Sequence, residues 1–144
     1  MTLVRRCRLP EQVAGAIIEH ARRAQPRECC GLLLGRGENV LEATPAPNLA
    51  PDPNRFLLDP ATHVRVRRDA RRRGLEVVGF YHSHTHSPAE PSARDVAEAA
   101  YDDAVYVIVS LATAAPSVRA FVIRERGFLE VPIVDPAGRR SAAQ

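Results

Sequence analysis

The chain contains no lysine, and its 20 basic residues are all arginine. Schiff-base chemistry and lysine general bases are thereby excluded. Tryptophan is absent too, and aromatics make up 5% of the chain, which leaves little for nucleobases to stack on. The three cysteines include the neighbours Cys29 and Cys30 and form no Cys-x-x-Cys spacing. Adjacent cysteines on a strand point to opposite faces, so reduced, buried thiols in a reducing compartment are expected. A nucleophilic Cys29 or Cys30 paired with a histidine stays open as an alternative. No apolar run approaches the roughly 20 residues of a membrane helix. The segment Met1–Arg8 is charged almost at once, unlike a secretory leader. A cytoplasmic protein with no membrane partner is expected.

What is present suits one soluble domain: 144 residues, 45% apolar and 26% charged. The net charge of +3 is mild and concentrates at Arg65, Arg67, Arg68, Arg71, Arg72 and Arg73. A solvated helix face is the plain reading of that run. With no aromatic interleaving or recognisable motif beside it, no nucleic-acid partner is expected. A basic rim of this kind still attracts acidic proteins.

Helices and strands alternate along the chain. Val13, Ala14, Ile17, Ile18 and Ala21 recur at helical spacing between Pro10 and Ala24, and Pro26 stops the run. Cys29–Leu34 and Val40–Ala43 read as two strands joined by a turn. Thr44–Pro53 is a proline-rich loop, extended in expectation, and Arg55–Leu58 a short strand. Asp59-Pro60 opens a helix that runs to Arg73 and ends at Gly74. Leu75–Tyr81 reads as a strand buried on both faces. Pro91-Ser92 opens a helix through about Asp102, and Val105–Leu111, Val118–Ile123 and Phe128–Ile133 complete the strands. The expected fold is a single three-layer α/β domain over residues 1–134, with a mixed central β-sheet flanked by helices. Residues 135–144 are expected to form a flexible tail.

The chemistry concentrates in one stretch. His82 and His84, two apart on a strand, present both imidazoles to one side, while Ser83 points the other way. Asp95 follows His84 by eleven positions, room for a loop and the first turn of a helix. Two imidazoles and one carboxylate are three ligands for a divalent metal. Three protein ligands plus water is how a catalytic zinc is held, whereas structural zinc takes four side chains. Ser92-Ala93-Arg94-Asp95 also reads as a capping box, in which Ser92 caps the helix and Asp95 reaches back. His86 is read as a loop residue near the site. His20 and His63 are read as ordinary surface or interface side chains.

The sequence His82-Ser83-His84, seven further residues, Ser92, two more and Asp95 resembles the signature of the JAMM (JAB1/MPN/Mov34) zinc metalloproteases. Glu28, in Pro26-Arg27-Glu28-Cys29-Cys30-Gly31, resembles that family's upstream glutamate, and Gly79-Phe80-Tyr81 its lead-in. The resemblance implies an MPN/cytidine-deaminase-like architecture and one Zn2+ held by His82, His84 and Asp95. It implies Glu28 as catalytic acid and base, and Ser92 as the donor that stabilises an oxyanion. At 144 residues there is little room for the insertions with which larger members grip ubiquitin chains. The chain is more similar to compact prokaryotic members that act on the Gly-Gly tails of ubiquitin-like or sulfur-carrier proteins, including a cysteine-releasing step. Thr44–Asn54 and Thr85–Glu90 are the expected rims for such a tail. A homodimer through an edge strand or the Arg65–Arg73 helix is left open. The alternative is a non-catalytic scaffold of the same fold. A zinc nucleobase deaminase lacks support, since its Pro-Cys-x-x-Cys element is missing.

Overall fold

The computed structural model describes residues 4–98, 101, 103–124 and 127–140. Among these, eight strands form one mixed sheet in the order β7-β6-β5-β4-β2-β3-β1-β8. The strands are β1 (Cys7–Arg8), β2 (Cys30–Arg36), β3 (Asn39–Ala46), β4 (Glu76–His84), β5 (Val105–Ser110), β6 (Ser117–Arg124), β7 (Gly127–Val131) and β8 (Ile133–Val134). Three helices accompany them: α1 (Glu11–Ala24), α2 (Pro60–Arg72) and α3 (Ala93–Glu98). Only Pro132 separates β7 from β8, yet the two lie at opposite ends of the sheet. The sheet must therefore curl until its ends meet.

Alternation along the strands sorts the apolar residues into two layers. On one face Val13, Ile17 and Ala21 of α1 pack with Leu33, Tyr81, Val107, Val109, Val118, Val131 and Ile133. That cluster draws on strands from both ends of the sheet, so α1 fills the concave side. On the other face Val66 and Ala70 of α2 pack with Cys30, Leu32, Leu34 and Phe80. A smaller cluster of Ala89, Ile108 and Phe121 continues that second face. The pairing of β2 with β4 slips between Leu33 and Leu34. Such a bulge inserts one residue and re-aims those that follow, so Val78 and Phe80, two apart, serve opposite layers, while Phe80, His82 and His84 share the α2 side.

Several boundaries differ from the sequence reading. The strand read over Leu75–Tyr81 continues to His84, because Ser83 and His84 pair with Val109 and Ser110 of β5. Likewise β3 runs to Ala46 through Pro45. Its far side meets β1 only at Asn39, and a proline is tolerated where no neighbouring strand needs its missing N–H. Arg55–Leu58 forms no strand, only a bridge from Leu58 to Asn48. The single strand read over Phe128–Ile133 is broken at Pro132. The helix from Ser92 is seen over Ala93–Glu98, and the rest of its expected span lies largely outside the described residues. α2 is as expected: Asp59 accepts from Ala61 N at 3.1 Å and from Thr62 Oγ1 at 2.9 Å. The chain leaves α2 through Gly74 at φ +73, a left-handed conformation that favours glycine. Among the described residues no helix is long and apolar enough to cross a membrane.

Candidate metal centre

The end of β4 carries two buried imidazoles toward the first turn of α3. His82 Nε2 and His84 Nε2 lie 3.2 Å apart. Asp95 Oδ2 stands 3.3 Å from the first and 3.2 Å from the second. Charge-assisted N–H···O bonds prefer about 2.7–2.9 Å, so these contacts are long for ion pairs. Ligand atoms about 2.0–2.2 Å from one tetrahedral zinc lie about 3.3–3.6 Å from each other. The triangle fits the metal better than the salt bridge.

The chemistry of the donors fits as well. His84 Nδ1 is 2.8 Å from Pro88 O. A carbonyl only accepts, so Nδ1 carries the hydrogen and the lone pair of a neutral His84 sits on Nε2, facing the cluster. Burial pulls the His84 imidazole down, but the hydrogen bond to Asp95, the Pro88 carbonyl and the charges of Asp95 and Glu28 outweigh it. Its pKa lies above the ordinary value. Burial pushes the Asp95 carboxyl up, but hydrogen bonds from both imidazoles and the Ser92 N–H hold it far below the usual carboxylate range. A cluster that favours a proton between imidazole and carboxylate offers the same lone pairs to a divalent cation.

Ser92 and Asp95 serve two readings at once. Ser92 N donates to Asp95 Oδ2 at 2.8 Å, and Asp95 N donates to Ser92 Oγ at 3.0 Å. That is the reciprocal capping box. It also aims the carboxylate, since the same Oδ2 faces the imidazoles. Ser92 Oγ is used there as an acceptor, which leaves its own O–H free to donate.

Glu28 enters from just before β2. With Ser92, Asp95 and His84 it lines a cleft of about 610 Å³, whose rim includes Asp52, Arg55, Phe56, Thr85, His86 and Arg94. Burial pushes the Glu28 carboxyl up to about 7, with His84 pulling it down and Asp95 and Asp52 adding to the rise. Its backbone is fixed by Glu28 N donating to Pro53 O at 2.9 Å. One residue on, Cys29 N donates to Ser83 Oγ at 2.8 Å and Ser83 N returns to Cys29 O at 3.1 Å. Ser83 thus points away from the cluster, as its position on β4 requires. It tethers the glutamate segment to the histidine strand.

The remaining candidates take other places. His86 is exposed on the rim and outside the Nε2–Oδ2 triangle. His20 Nδ1 lies 2.7 Å from the hydroxyl of buried Tyr81, a polar contact within the α1 layer. His63 packs edge-on against Phe80 and Tyr101. Burial pushes the Cys29 thiol up to about 11 and Cys30 to about 12. Both are poor nucleophiles there, and all three cysteines are free.

Two contributors escaped the sequence reading. Phe56 stacks on His82 with ring centroids 4.3 Å apart. Asn48 makes four hydrogen bonds inside a loop that read as extended. Proline and asparagine marked that loop without indicating what the asparagine held.

A curled mixed sheet between helices, with two histidines and an aspartate meeting at the end of its central strand, is the arrangement of a JAB1/MPN-type domain. The family model described as prokaryotic homologs of the JAB domain matches residues 10–124, and the chain belongs to that family. It is 38% identical over 107 residues to a probable TtuB-protein conjugate cleaving protease of Thermus thermophilus, covering 74% of this chain and 68% of the relative. It is 36% identical over 112 residues to a desampylase of Haloferax volcanii, covering 73% and 81%. A CysO-cysteine peptidase of Mycobacterium tuberculosis is 38% identical over 100 residues, covering 68% of each chain. Among solved structures, a protein of Desulfitobacterium hafniense superposes with a TM-score of 0.82 at 35% identity, over 89% of this chain and 91% of that one.

Proposed function

We propose that this chain is a zinc-dependent metallopeptidase. Its substrate is a peptide or isopeptide bond at the Gly-Gly tail of a ubiquitin-like or sulfur-carrier protein, and its place of action is the cytoplasm. The observation that carries the reading is the triangle of Nε2 and Oδ2 atoms with edges of 3.2–3.3 Å. The names of the relatives support the substrate class, since each denotes cleavage of a conjugate or peptide of a small carrier protein.

In this proposal His82, His84 and Asp95 hold the zinc. Zinc, when bound, lowers the pKa of water toward about 7 and polarises a carbonyl. Glu28 accepts the proton of the attacking water on its carboxylate and returns it to the nitrogen of the leaving amine. A carboxyl pushed up to about 7 suits both halves of that task. Ser92 donates its hydroxyl hydrogen to the oxygen on which charge develops, which is worth a few kcal/mol when the donor is well placed. The rims at Thr44–Asn54 and Thr85–Glu90 flank the tail.

The test is metal analysis with a cleavage assay on a Gly-Gly-tailed carrier fusion. One zinc per chain and metal-dependent cleavage at the tail are expected. A protein that takes up no zinc and leaves the fusion intact returns the scaffold reading.

A further inference from the structure

The loop between β3 and α2 contains one side chain with all its hydrogen-bonding capacity in use. Asn48 Nδ2 donates to Glu28 O and to Arg55 O, both at 2.9 Å. Asn48 Oδ1 accepts from Ala50 N at 3.0 Å and from Leu57 N at 2.9 Å. Backbone N–H groups only donate and carbonyls only accept, so this network admits one orientation of the amide. The four bonds fold the loop onto two points of the site. One is the main chain of Glu28, whose N–H is gripped from the same loop by Pro53 O. The other is Phe56, which lies between the bonded Arg55 and Leu57 and stacks on His82. Arg27 Nη2 also donates to Ala50 O, closing the loop against the glutamate segment.

We infer that Asn48 is a positioning residue for hydrolysis. Its amide fixes the main chain of Glu28 relative to the His82–His84 strand, and it sets Phe56 against His82. The inference rests on the reading of Glu28 as the proton carrier. A proton carrier needs placement to a fraction of an ångström. A half-buried glutamate that precedes its strand gets no such placement from the sheet ladder alone. Aspartate is the informative replacement: it keeps both acceptor bonds, to Ala50 and Leu57, and loses both donor bonds, to Glu28 and Arg55.

The experiment places Asn48→Ala and Asn48→Asp in the wild-type and Glu28→Gln backgrounds. Zinc content, kcat and KM are then measured on the Gly-Gly-tailed fusion. Wild-type zinc content is expected, with kcat lowered about 10–100-fold, the range typical of groups that orient a site from behind it. KM should move far less than kcat. In the Glu28→Gln background either Asn48 change should cost almost nothing further, because residues acting as one unit are not additive. Full kcat in Asn48→Asp, or an equal loss in both backgrounds, overturns the inference. Should Asn48→Ala fail to fold, Asn48→Asp decides alone, since its loop keeps two of the four bonds. Full activity in Glu28→Gln by itself would instead overturn the reading of Glu28 and leave the Asn48 result to be read separately.

Discussion

The two sides of β4 are equally hidden and chemically opposite. Tyr81 and Ser83 are exposed by 1% and 0%, His82 and His84 by 4% each. On the α1 side the polar atoms find partners within the chain, the Tyr81 hydroxyl at His20 and Ser83 Oγ at Cys29 N. On the α2 side two imidazole nitrogens and a carboxylate oxygen crowd one point. Three such atoms at that spacing could hold a metal ion. Burial alone does not separate a structural strand face from a functional one, whereas accounting for donors and acceptors does.

The sharpest way to break this comparison is to strike one side at a time. His84→Ala should abolish zinc uptake and reduce cleavage to background, while Tyr81→Phe, which removes only a hydroxyl from the other side, keeps its metal. Metal analysis of the two purified variants checks this, and a zinc-loaded His84→Ala would refute the ligand set. Glu28→Gln should keep the metal yet lower kcat about 10²–10⁴-fold, the span of general acid–base catalysis.

Removing the metal isolates Glu28 further. Its folded pKa is raised from the ordinary 4.5 to about 7. The stability it contributes is therefore full below pH 4.5 and is lost as pH rises through 7. Metal-free wild type should lose stability over that window relative to metal-free Glu28→Gln. Urea melts at several pH values measure the difference, and parallel curves would show the carboxyl to be unperturbed.

Ser92→Ala should lower kcat about 10²-fold through the lost oxyanion donor, and destabilise α3 by about 1 kcal/mol through the lost cap. A kcat unchanged beside lowered stability would leave Ser92 only its capping role. Smallest in activity is Ser83→Ala on the α1 side. It leaves the buried Cys29 N–H without its acceptor, at a cost of about 1–3 kcal/mol in unfolding free energy, with zinc content intact. Denaturant melts and metal analysis on one preparation test both halves.

Most of the site was legible in the chain, for a specific reason. A His-x-His pair on a strand and a Ser-x-x-Asp helix start are local patterns whose geometry follows from periods of 2 and 3.6 residues. His82, His84, Ser92 and Asp95 could be read that way. Glu28 could not, because nothing within its own segment distinguishes it from a solvated glutamate, and only the resemblance singled it out. Asn48 and Phe56 were invisible because the partners that tie them to the site, Glu28 and His82, lie 20 and 26 positions away. The strand expected over Arg55–Leu58 failed because Asn48 takes the Leu57 N–H that a ladder would have used.

By itself the sequence determined that His82 and His84 share a face, where α1 and α2 begin and end, and that three groups able to ligate a metal lie close along the chain. These depend on backbone periodicity and on short-range caps, which act within a turn or two. Only the tertiary structure decided that β7 and β8 part at Pro132 to join opposite ends of one curled sheet. It alone decided that Ser83 tethers Glu28's segment to the histidines, and that a proline-rich loop folds inward around one asparagine. Those outcomes depend on pairing between distant segments, whose partners emerge only once the apolar layers on both faces of the sheet have closed.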